Sequence, residues 1–204
     1  MEDSLQFSGV ACAGWSRPYS FTLHAGETRL LQTRSEAEKE AAMDVALGNR
    51  ACDEGMVLLQ GMPLRDGLPG SVGWVAANGG LISNLKVWEN VTLPLWYHAG
   101  HAVAETEQRV AWWLSALGVA EAERRTFMEA TPDRLGSSQR KLAGLLRGLV
   151  QMPRVLVVDA ALFDSVAPHQ MAVWAGALET YAAQGRAVLA VADRAAALPW
   201  QIIE

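Results

Sequence analysis

Two short runs contain no polar residue: Val155-Leu156-Val157-Val158, closed by Asp159, and Ala187-Val188-Leu189-Ala190-Val191. A strand with one face in water alternates apolar and polar side chains, so a strand apolar at every position is covered on both faces. Each run follows a helical stretch in the chain. That order predicts an α/β fold with a parallel sheet layered between helices. The 204 residues supply one or two domains and a real core. Half of them are apolar and 19% are charged, which excludes a disordered chain. The net charge of −5 argues against a general nucleic-acid binder. Neither apolar run approaches the roughly 20 residues of a membrane-spanning helix. The start, MEDSLQFSG, is acidic and lacks an apolar signal core. Cys12 and Cys52 make neither a metal motif nor a disulfide framework. A cytoplasmic chain without a bound metal is therefore expected.

Around these two runs the elements alternate. Leu5–Cys12, Tyr19–Leu23, Thr28–Gln32, Met56–Gln60 and Val72–Ala76 read as strands, and Gln201–Ile203 as a last short one. Gly61-Met62-Pro63 reads as a turn. Ser35-Glu36-Ala37-Glu38 is a capping box that opens a helix running to about Leu47, with Gly48 as its stop. The middle is helical. Lys86–Leu93 is expected to end or kink at Pro94. Glu105–Leu117 places Val110, Trp113, Leu114 and Leu117 on one face, and a further helix spans about Ser138–Val150 before Pro153. Met171–Ala183 completes the set.

These segments, in this order, resemble the ATP-binding cassette ATPase, the nucleotide-binding subunit of ABC transporters. Phe21–Glu27 (FTLHAGE) looks like the strand and turn before that family's phosphate loop. Gly73–Leu95 (GWVAANGGLISNLKVWENVTLPL) looks like its Q-loop segment, and Leu135–Val150 (LGSSQRKLAGLLRGLV) like its signature motif and helix. Pro153–Asp159 (PRVLVVD) resembles its Walker B strand, and Gln184–Asp193 (QGRAVLAVAD) the strand before its switch histidine. The resemblance covers nearly the whole chain. It implies a P-loop NTPase fold of ABC type: one domain over 1–204, with a RecA-like core sheet at about 1–76 and 150–204, a helical subdomain at about 77–149, and a small antiparallel β part. It leaves almost nothing beyond the switch strand for a regulatory tail.

The same alignment shows what is missing. A phosphate loop needs glycines, whose backbone freedom lets N–H groups crowd around phosphate. Here Thr33-Arg34-Ser35-Glu36-Ala37-Glu38-Lys39-Glu40 has none, and Glu40 stands where a hydroxyl would meet magnesium. Lys39 falls at the phosphate lysine. A carboxylate about 6 Å from a phosphate charge repels it by roughly 2–3 kcal/mol at an effective dielectric near 20. Two or three such terms rival micromolar affinity, about 8 kcal/mol. Lys39 thus reads as an exposed helix lysine among glutamates. The Q-loop glutamine aligns with Ala77, the catalytic glutamate with Ala160 and the switch histidine with Ala192, so the general base of hydrolysis is absent. Asp159 remains, readable as a strand-end aspartate with local hydrogen bonds. Ser137, in Leu135-Gly136-Ser137-Ser138-Gln139, could reach a phosphate across a dimer or cap the helix that follows. Trp15 could stack on adenine or simply pack.

A fold kept while its chemistry is lost points to a use for its surfaces. The resemblance implies two: one that pairs with a second cassette, as a homo- or heterodimer, and a groove that receives a helix of a membrane permease. Leu81, Ile82, Leu85, Val87, Trp88, Val91, Leu93, Leu95, Trp96 and Tyr97 crowd the segment beside that groove. Leu81, Leu85, Trp88 and Trp96 are the candidate anchors, since aromatics concentrate binding energy at interfaces. The wording NGGLISNLKVWENVTLPL most resembles cassettes of lipid transporters that work with MCE-domain proteins. The expectation is a pseudo-ATPase subunit, structural or regulatory, at the inner face of the cytoplasmic membrane, holding no cofactor. A divergent ATPase that still uses ATP and Mg through Lys39 and Asp159 is the alternative. A free-standing soluble binder on the same scaffold is a third reading.

Overall fold

The computed structural model describes residues 3–66, 70–98 and 103–203. Met1, Glu2 and the Tyr97 side chain, which figure in the sequence reading, lie outside the described residues. Five strands form a parallel sheet in the order β6-β7-β8-β3-β9. They are β3 (Thr28–Gln32), β6 (Val72–Val75), β7 (Val155–Asp159), β8 (Ala187–Ala192) and β9 (Gln201–Ile203). The two all-apolar runs are β7 and β8, neighbours inside the sheet and buried at every position. Their side chains alternate between two cores. Val155, Val157, Ala187, Leu189 and Val191 face one; Leu156, Val158, Val188, Ala190 and Ala192 face the other.

The first core is roofed by α1 (Glu36–Ala46) and by a four-stranded antiparallel sheet, β2-β1-β4-β5. Its strands are β1 (Asp3–Ala11), β2 (Tyr19–His24), β4 (Glu54–Leu59) and β5 (Met62–Pro63). The second core is filled by α2 (Val87–His98), α3 (Val103–Ala116), α5 (Ser137–Gln151) and α6 (Pro168–Ala183), with Phe127 and Met128 from α4 (Glu121–Glu129). Helices α2 to α5 lie between β6 and β7 in the chain, where a helical insertion is expected.

Several local expectations are corrected. Met62-Pro63 is an edge strand on Leu58 and Leu59 and not a turn; an edge position tolerates proline because its missing N–H faces away from the ladder. Helix α2 does not stop at Leu93 but runs through Pro94 to His98. Burial of Val87, Val91 and Leu95 on one face outweighs one lost helical bond. Asn90, 2% exposed, anchors the start of that helix: its amide donates to the carbonyls of Ile82, Leu85 and Lys86, and its oxygen accepts from the Ile82 N–H. Residue type and spacing mark neither α4 nor this role of Asn90.

Candidate functional site

Parallel strands end together, and side chains at those ends converge. At the carboxyl ends of β7, β8 and β3 lie Asp159, Asp193 and Thr33. Thr33 is buried, and its N–H and hydroxyl both donate to the Ala192 carbonyl, at 2.8 and 3.0 Å. Asp159 follows the parity of Val155 and Val157 and so belongs to the α1 side of the sheet.

Lys39, in the second turn of α1, is not the exposed lysine that its glutamate neighbours suggest. It is 5% exposed, with its ammonium 3.4 Å from Asp159 and 3.5 Å from Asp193. Burial alone would push its pKa down; the two carboxylates outweigh that and hold it above the ordinary lysine value. Asp159 also accepts from the Ala161 N–H at 3.0 Å, the local bond expected of a strand-end aspartate. No sequence signal marks Asp193 beyond its place one residue after the strand.

Glu38 turns the other way. The predicted cap at Ser35 is present: its hydroxyl oxygen accepts from the Glu38 N–H at 3.2 Å. The reciprocal half differs, because the Glu38 carboxylate reaches past Ser35 to the Arg34 N–H at 3.1 Å. Its other oxygen accepts from the Tyr19 hydroxyl at 3.0 Å and from the Ser16 hydroxyl and N–H at 3.2 and 3.4 Å. Glu38 is 3% exposed. Burial would raise its pKa, but the donors from Arg34, Tyr19 and Ser16 hold it below the usual carboxylate range. Tyr19 is pushed up to about 12, by burial first and by its bond to Glu38 second.

The remaining candidates are spread around this centre. Trp15 is half-buried and edge-on to Tyr19, with ring centroids 5.4 Å apart. Ala160 and Ala192 are buried at 4% and 3% exposure, Ala77 is half-buried and Glu40 is exposed. Ser137 is the exposed first residue of α5, and the cap belongs to Gly136, whose N–H donates to the Gln139 side chain at 3.0 Å. Ser138 donates to Gln170 at 2.9 Å. Leu81 and Trp88 pack partly buried against the second core, and Leu85 is half-buried. Trp96 is 56% exposed and Ile82 44%. Among the described residues no cluster of His, Cys, Asp and Glu has the geometry to hold a metal, and no helix is long and apolar enough to cross a membrane.

A nucleotide triphosphate with magnesium does not fit these residues. The loop before α1 has no glycine to open a cradle, and its Arg34 N–H is spent on Glu38. Glu40, next to Lys39 on α1, is exposed and carries a carboxylate rather than a hydroxyl.

The family model described as ABC transporter matches residues 17–162. The chain is 28% identical over 157 residues to the molybdenum import ATP-binding protein ModC of Rhizobium johnstonii, covering 72% of this chain and 42% of that protein. It is 31% identical over 146 residues to the spermidine/putrescine import ATP-binding protein PotA of Rubrobacter xylanophilus, covering 70% and 37%. The chain thus spans about two fifths of the length of these curated relatives. Among solved structures, a dimeric ATP-binding cassette in a post-hydrolysis state with ADP and Pi superposes with a TM-score of 0.76 at 18% identity, over 93% of this chain and 88% of that one.

Proposed function

Because the chain belongs to the ABC transporter family, we propose that it serves a membrane transporter as a cassette subunit that does not hydrolyse ATP. The observation that carries this reading is the closed charge cluster at the strand ends. The Lys39 ammonium, which a phosphate would need, is held between Asp159 and Asp193. Freeing it means breaking both ion pairs at a largely buried site, a cost of several kcal/mol. The positions of the general base and the switch histidine are buried alanines, Ala160 and Ala192, so neither position offers a bound nucleotide a group to activate water.

The role left is structural or regulatory. Trp96 and Ile82 offer the exposed apolar area of the α2 segment to a permease, while Leu81, Leu85 and Trp88 are half-buried. Its place would then be peripheral, at the inner face of the cytoplasmic membrane. A second cassette is the other partner, and with an active one Ser137, exposed at the start of α5, would face the partner's nucleotide. The relatives are named as import subunits, which favours uptake; the wording of Asn78–Leu95 supports a lipid or envelope substrate.

The test is a tagged chain purified from its native membrane, with phosphate release assayed on the chain alone and on the complex. A permease and a second cassette should co-purify, and the chain alone should release no phosphate above background. Turnover by the isolated chain that disappears in Lys39→Ala would overturn the reading in favour of a divergent ATPase. A chain that leaves the membrane with no partner would favour the free-standing binder.

A further inference from the structure

We propose that Glu38 is a resident anion: its carboxylate occupies the anion-holding position of the loop before α1 and straps the antiparallel sheet to the core there. Its two oxygens take donors from elements far apart in the chain. Arg34 contributes a backbone N–H from the loop; Ser16 and Tyr19 contribute a backbone N–H and two hydroxyls from the segment entering β2. All are neutral dipoles, and they converge on a charge that is 3% exposed. A buried carboxylate is kept charged when several N–H and O–H donors converge on it, and here two backbone N–H groups and two hydroxyls do so. Here the chain supplies the anion itself, from the first turn of the helix whose N-terminus attracts it.

Two consequences follow from the geometry. The Arg34 N–H is not open to an external anion while Glu38 is in place, because Glu38 already uses it. The contact between the antiparallel sheet and the loop needs no nucleotide, since Glu38 bridges it, and Trp15 packs edge-on against the Tyr19 ring. This deepens the reading of the site as non-hydrolytic and rests on it.

The experiment is anion rescue. Thermal unfolding of wild type and of Glu38→Ala is followed in sodium chloride, sodium formate and inorganic phosphate at matched ionic strength. Glu38→Ala should melt lower in chloride. Formate or phosphate should raise its midpoint by about 3 °C or more beyond any rise in the wild type. Equal shifts in the two proteins would overturn the proposal. If Glu38→Ala does not fold, Glu38→Gln is used with amide hydrogen exchange: the Arg34 and Ser16 amides should exchange at least about tenfold faster than in wild type, and unchanged exchange would overturn it. The two readings fail separately. ATP turnover by the wild type would sink the non-hydrolytic reading and leave the rescue standing; absent rescue would remove the resident anion without restoring a catalytic base.

Discussion

Glu38 and Lys39 are adjacent in the chain and serve different neighbours. Lys39 closes a cluster with Asp159 and Asp193, so Lys39→Ala leaves two carboxylates without their cation. Breaking a buried pair from one side costs about 3–5 kcal/mol, and denaturant unfolding should show a loss of that size. Glu38 supplies the acid sensitivity. Its folded pKa lies below the ordinary 4.5, so its contribution is complete above that value and is lost as pH falls through the lower folded pKa. Wild type should therefore lose stability on acidification below about pH 4.5 more steeply than Glu38→Gln, as measured by unfolding at a series of pH values. Lys39 has the opposite sign: its contribution is complete below the ordinary 10.5 and fades only as pH rises through its raised folded value. The aspartate at the strand end and the Ser35 cap were legible from residue type and position. The burial of Lys39 was not, because its second partner, Asp193, lies in a distant part of the chain, and its close neighbours are all glutamates.

At the scale of elements, α5 sets the spacing between the helical layer and the loop after β6. A Cβ on Gly144 would sit 2.3 Å from the Gly79 carbonyl oxygen, and one on Gly79, at φ +88°, would sit 2.1 Å from the Arg140 carbonyl oxygen. Arg147 then donates to the Gly79 and Gly80 carbonyls at 3.1 and 2.8 Å. Gly144→Ala should cost at least the roughly 1–3 kcal/mol of core overpacking, because backbone must move. Gly176→Ala, on α6 with nothing within 4 Å, should be neutral or stabilising by up to about 1 kcal/mol. Paired thermal melts check the contrast. Helix α5 was readable because its apolar positions repeat at helical spacing. Helix α4 was not: of EAERRTFME only Phe127 and Met128 are buried, and two adjacent positions carry no period. Helix α2 is expected to end or kink at Pro94 because proline is a strong local signal, while the burial that carries the helix on to His98 is tertiary.

For the whole molecule, the apolar runs of β7 and β8 were enough to place a parallel sheet between two layers, and the alternation of their side chains between two cores follows from strand geometry alone. The partner surface is a matter of exposure, which sequence cannot weigh: of the four candidate anchors, Trp96 is the exposed one. Trp96→Glu should weaken co-purification with a permease while leaving the unfolding midpoint unchanged. If the cassette fold is retained here with its nucleotide site internally closed, as proposed, calorimetric titration of the wild-type chain with Mg-ATP shows no heat of binding at micromolar to submillimolar ATP. Saturable micromolar binding that is abolished in Lys39→Ala is the opposite result and rules the closed site out.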